Sequence, residues 1–134
     1  MSTEPETVDG ADIRRAILGD AWVSSAQAGD GDALDHFARI SIDHVWRAFW
    51  TRPGLELHLR SVATIAALAA LEAHGELVAH VKGALRNKFL TPVQVRELLL
   101  HLTPYIGFPR SRHAIAAVND VLRDAEAGEG GGEA

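Results

Sequence analysis

Glu76 and His80 stand four residues apart in a chain of 134, and on a helix that spacing puts both side chains on one face within hydrogen-bond reach. A carboxylate that orients an imidazole makes a proton shuttle near neutral pH, because an unperturbed histidine titrates near 6.5. The same spacing describes an ordinary surface pair worth only about 0.3 to 0.5 kcal/mol, so spacing alone leaves both readings open. Arg52 precedes a proline and a glycine. There a guanidinium can grip a carboxylate through two parallel hydrogen bonds, or pair with a nearby acid and brace the turn. Trp46 and Trp50 suit the wall of a small-molecule pocket or ordinary core packing. Tyr105 is a potential donor to a substrate oxyanion or to a backbone carbonyl, and His44, beside Trp46, faces the same cavity or solvent.

What is missing narrows the chemistry further. With no cysteine, the chain by itself forms no disulfide, thiolate metal site or thiol redox couple. Two-metal helical bundles use Glu-x-x-His, a spacing this sequence lacks despite its seven histidines. Glu76 and His80 supply two ligands where three or four are needed, so neither a metal nor another cofactor is expected. Thirteen Lys and Arg against 18 Asp and Glu give a net charge of -5, which does not suit a nucleic-acid binder. The longest apolar stretch, Val62 to Leu71, is interrupted by Thr64 and falls far short of the roughly 20 residues of a membrane span. The start, MSTEPETVDG, lacks the basic-then-apolar pattern of a signal peptide. The expected setting is the cytoplasm and the expected partner a small molecule.

Helices must position these residues, since helical periodicity dominates and no strand pattern competes. Leu34, Phe37, Ala38, Ile42, Val45, Phe49 and Trp50 form one amphipathic stripe, which Thr51 to Gly54 end. Glu56 to Ala73 is apolar on nearly every face past Ser61, as in a bundle centre or a subunit interface. Gly75 marks a turn, and Leu77, Val81, Ala84 and Leu85 then share one side of a helix over 76–87. Thr91, Pro92 and Gln94 fit an N-cap, a first-turn proline and a capping-box partner. That helix carries Val95, Leu98, Leu99 and Leu102, is kinked or shortened by Pro104, and ends at Gly107 and Pro109. Ser111 caps a last helix whose buried stripe is Ile115, Val118 and Leu122. The expected fold is all-α, an antiparallel bundle of about six helices with a central αα-hairpin. Residues 1–11 read as an acidic arm, 12–123 as the helical domain and 124–134 as a Gly/Glu-rich tail too polar to order itself.

The run TrpThrArgProGlyLeu at 50–55, ArgSer at 60–61, GluLeuValAlaHisValLysGlyAlaLeu at 76–85, ThrPro at 91–92 and TyrIleGlyPhePro at 105–109 resembles the carboxymuconolactone decarboxylase family. The likeness runs in order from about Ile13 to Leu122. It implies an alkylhydroperoxidase-D-like fold, assembly into homotrimers or homohexamers, and cofactor-independent loss of CO2 from a small cyclic carboxylate or lactone. Within that reaction Arg52 would hold a carboxylate, and His80, oriented by Glu76, would protonate the carbon left behind. The related alkylhydroperoxidases carry a Cys-x-x-Cys pair where this chain has Ala73 and Glu76, and without a thiol a peroxidase reading fails. Ala48 stands where the family usually has a glutamate, the AsnGly turn is replaced by Asn87, Lys88 and Phe89, and Pro104 replaces a helix former. These departures keep two rivals in view: an isomerase, cyclase or other tailoring enzyme acting on a larger natural product, and a non-catalytic oligomeric binding protein.

Overall fold

The computed structural model describes residues 9–27 and 32–130, and every element among them is helical. The elements are α1 (Gly10–Leu18), α2 (Asp20–Gln27), α3 (Asp32–Ser41), a π-helix (Ile42–Trp50), α4 (Leu57–Ala70), α5 (His74–Arg86), α6 (Pro92–His101), α7 (Thr103–Ile106) and α8 (Phe108–Gly130). The list exceeds the expected six because α1 and α2 are separated at Gly19 and two long helices are interrupted. One changes its hydrogen-bond repeat at Ile42, and the other breaks at Leu102, where Pro104 cannot donate. The chain divides into two compact units, Met1–Leu55 and Glu56–Ala134.

In the first unit, Asp9 caps α1 by accepting from the Ala11 N–H at 3.0 Å, so the helix begins inside the stretch expected to be an arm. Residues 1–8 of that arm lie outside the described residues. α1 packs on the π-helix, and Gly10 permits the close approach: a Cβ there would lie 2.5 Å from the Ile42 carbonyl oxygen. The i→i+5 repeat of the π-helix re-sorts the expected stripe. Trp46 and Trp50 are buried, while Val45 and Phe49 are exposed.

The second unit has a continuous apolar core. Ile65 and Ala69 of α4, Leu77, Val81 and Ala84 of α5, Val95 and Leu99 of α6, and Val118 and Leu122 of α8 all belong to it. Burying one such Leu or Val stabilises by roughly 1.5–3 kcal/mol. α4 and α5 form the expected hairpin, but Gly75 does not make its turn. Glu72 does, at φ 55, with Glu72 N–H donating to Ala69 O and Ala73 N–H to Leu68 O. This is the paired-bond ending that satisfies a helix's last carbonyls, and it leaves Gly75 in the first turn of α5. α5 ends the same way, with Lys88 at φ 59 and bonds from Lys88 N–H to Leu85 O and Phe89 N–H to Ala84 O.

The capping box at Thr91 is present: Gln94 N–H donates to Thr91 Oγ1 at 3.1 Å, and Thr91 N–H donates to Gln94 Oε1 at 2.9 Å. Gly107 closes α7 at φ 95, a conformation glycine adopts without steric cost. Ser111 does not cap α8, which starts at Phe108. Its buried hydroxyl instead donates to Leu99 O at 2.8 Å and lies 2.8 Å from Thr103 Oγ1, tying α8 to α6 and α7. α8 continues to Gly130, past the boundary expected at Arg123. An Arg96–Glu126 ion pair holds this extension to α6, and residues 131–134 of the expected tail lie outside the described residues.

Candidate active site

α5 carries the pair whose spacing suggests proton transfer, and the structure treats its members differently. Glu76 sits in the first turn, where the positive end of the helix dipole favours a carboxylate, and its side chain is exposed. His80, one turn on, is 7% exposed, on a helix that also buries Leu77, Ala79, Val81, Gly83 and Ala84. Those residues offer no charge to an imidazolium, so burial lowers the His80 pKa from 6.5 to about 4, with the Glu76 charge pulling the other way. Sequence reasoning assigns this imidazole a value near neutrality. Burial keeps it neutral well below pH 7, and makes it a stronger acid than a free imidazolium whenever it does hold a second proton.

α4 buries Ser61, Ile65 and Ala69 on one stripe. Ser61 is 1% exposed, and its Oγ has no hydrogen-bond partner among the described residues. Sequence reading took Ser61 only as part of a motif. The available signal was its four-residue spacing from Ile65 and Ala69, which places a hydroxyl on the buried face.

Tyr105 lies on α7, 74% exposed, with its ring 5.5 Å from that of His101. Near the α4–α5 turn, His113 Nδ1 and Glu72 Oε1 are 3.0 Å apart. That hydrogen bond is the main reason the Glu72 carboxyl lies below its ordinary pKa, and the Arg110 charge adds to it. Among the described residues no three His, Asp or Glu side chains are grouped as a metal site. Two grooves of about 510 Å³ mark this unit. One is lined by Leu100, Thr103, Phe108, Arg112, Ile115 and Asn119, the other by Leu85, Arg86, Lys88, Leu90, Thr91 and Ala125. The basic residues Arg112 and Lys88 thus border grooves that His80 does not line.

In the first unit, Trp46 and Trp50 are 5% and 8% exposed and stack at 4.9 Å between centroids, with 28° between planes. Each ring therefore covers the other. His44 and Ala48 are exposed on the same π-helix. Arg52 is exposed just beyond its end, its backbone N–H donating to Phe49 O at 3.3 Å. α1 adds a buried cation missed in the sequence, Arg14, whose pKa is lowered first by burial and then by Arg15.

Residues 35–120 match the model of the carboxymuconolactone decarboxylase family. Over 124 residues the chain is 32% identical to 4-carboxymuconolactone decarboxylase of Acinetobacter baylyi, covering 92% of each protein. Over 116 residues it is 28% identical to nitrosuccinic acid decarboxylase of Metarhizium robertsii, covering 87% of this chain and 80% of that one.

Proposed function

The chain belongs to the carboxymuconolactone decarboxylase family, and from that premise we propose that it is a cofactor-independent carboxy-lyase in which His80 delivers the proton. The names of its two relatives define a common reaction. 4-Carboxymuconolactone and nitrosuccinic acid each carry two carboxylates and one group, a conjugated lactone carbonyl or a nitro group, that can take up an electron pair. When the C–COO⁻ bond breaks, CO2 leaves and the pair moves onto an oxygen of that group. A proton then adds to carbon and restores a neutral carbonyl or nitro function. One C–COO⁻ bond is exchanged for one C–H bond, and no electron carrier is consumed.

The observation that carries this reading is the burial of His80 beside the charge of Glu76. A substrate with two negative charges raises the proton affinity of a buried imidazole. His80 then takes a proton from water at neutral pH and, as an imidazolium, gives it to the carbon left by CO2. Glu76 supports the charged form. The resemblance of the TrpThrArgProGly run to the family makes Arg52, with Trp46, Trp50 and His44 of the first unit and, separately, Tyr105 of the second, the residues to test for substrate binding. Self-association into a trimer or hexamer is part of this proposal. It is supported by large apolar side chains exposed on the chain, among them Phe37, Phe49, Leu71 and Phe108.

The test is CO2 release from 4-carboxymuconolactone and from 2-nitrosuccinate, each with and without chelator. Turnover of one of them, unchanged by chelator and reduced at least about 100-fold in His80→Gln, is the expected result. Turnover on the lactone is expected to be the slower, because Ala48 supplies no carboxylate. A His80→Gln protein that stays folded and fully active would overturn the role of His80.

A further inference from the structure

Three hydroxyls in the second unit sit in comparable helical surroundings, and only one lacks a partner. Thr64 of α4 donates back to Arg60 O at 2.8 Å, and Ser111 of α8 donates to Leu99 O at 2.8 Å. Ser61 lies on the same helix as Thr64 and is at least as buried as Ser111, yet its Oγ has no hydrogen bond among the described residues. An unpaired buried hydroxyl is destabilising, because it has given up its bonds to water and gained none in return. A serine in a helix can ordinarily avoid that cost by bonding the carbonyl four residues back, as Thr64 does.

The position of Ser61 bears on the site already described. α4 and α5 are antiparallel about the turn at Glu72, and Thr64 and His80 are equidistant from it in sequence, so the helical turn from Ser61 to Ile65 comes level with His80. Ser61 continues toward the open end of the hairpin the stripe of Ile65 and Ala69 that packs in the core with Leu77 and Val81 of α5.

We propose that Ser61 is a catalytic hydrogen-bond donor to the oxygen that becomes negative as CO2 leaves, the lactone carbonyl or nitro oxygen of the substrate. This rests on the decarboxylase reading. As the C–COO⁻ bond breaks, its electron pair travels through the conjugated system to that oxygen, and the Ser61 O–H bond to it strengthens. The pair then returns to form the C–H bond with the proton from His80, which is replaced from water. Water is kept from the hydroxyl, so the donor is not competed for and needs no reorganisation as charge arrives.

The experiment compares wild type with Ser61→Ala in three measurements. Thermal unfolding should show an equal or higher Tm for the variant, since it loses a hydroxyl that bonds nothing. A Tm lowered by several degrees would make Ser61 structural and overturn the proposal. In the CO2-release assay kcat should fall about 100-fold or more, as for removal of one oxyanion donor, with KM little changed. An unchanged kcat, or a rise confined to KM, would also overturn it. If wild type releases no CO2 from either acid, the decarboxylase reading has failed, and infrared spectra of bound muconolactone decide Ser61 separately. This probe keeps the lactone ring and lacks the scissile carboxylate. A carbonyl stretch lower in wild type than in Ser61→Ala upholds the hydrogen bond, whereas equal frequencies or no saturable binding reject it.

Discussion

Both units leave large apolar side chains exposed, but they differ in how they build a core. Glu56–Ala134 gathers residues of α4, α5, α6 and α8 into one cluster in which Leu77, Val81, Val95 and Val118 have no exposed surface. In Met1–Leu55, by contrast, Leu34, Phe37, Val45 and Phe49 are 44–70% exposed, and burial falls to Ile13, Ile17, Val23 and the two tryptophans. Both units show clear apolar periodicity in the sequence. The difference teaches that periodicity reports which residues share a face, while the identity of the buried face depends on the helical repeat and on what packs there.

The contrast is broken most directly by truncating one large side chain in each unit. Leu77→Ala should cost about 2–5 kcal/mol by urea unfolding, because it opens a cavity in a closed core. Phe37→Ala should change the stability of the isolated chain by no more than about 0.5 kcal/mol. If the second loss equals the first and grows with protein concentration, the exposed face of the first unit is covered by association.

Acid should act mainly through the second unit. Unfolded His80 takes up its proton near pH 6.5, but folded His80 does so only near pH 4, so between these values the unfolded chain holds the extra proton. Stability is therefore full above about pH 6.5 and declines as pH falls toward 4, by about 3 kcal/mol at most from this group. In His80→Gln that part of the decline should vanish. An identical pH profile for both proteins would mean that His80 is not buried as a neutral imidazole in solution.

Backbone proximity gives a test specific to the first unit. Gly10→Ala places a methyl 2.5 Å from the Ile42 carbonyl and 3.0 Å from the Arg47 amide. It should cost about 1–3 kcal/mol and perturb the tryptophan fluorescence of the π-helix. A neutral result would show that α1 and the π-helix separate readily. The smallest expected effect is a gain: Lys88→Gly should stabilise by about 0.5–1 kcal/mol in thermal unfolding, because a glycine accepts φ 59 without the Cβ clash.

Much of the second unit was legible in the sequence. Local chemistry decided the capping box at Thr91, the stop at Gly107, the break before Pro104, and the buried sides of α5 and α8 through Leu77, Val81, Val118 and Leu122. These features depend on residues within a turn or two of one another, so one segment contains the whole signal. The pairing of Glu76 with His80 on one helix was legible for the same reason.

Other features waited for tertiary structure because they depend on distant atoms. The sequence placed the hairpin turn at Gly75, but the fold closes it at Glu72, where packing of α4 on α5 outweighs the strain of a left-handed non-glycine residue. It drew one continuous stripe from Leu34 to Trp50, yet the π-helical repeat from Ile42 onward turns Trp46 inward and Phe49 outward. It gave Ser111 a capping role that α8, starting at Phe108, leaves empty. Above all, the residue types could name His80 as a titrating group without setting its proton affinity. That affinity depends on how much water the surrounding helices exclude, and no spacing along a chain records it.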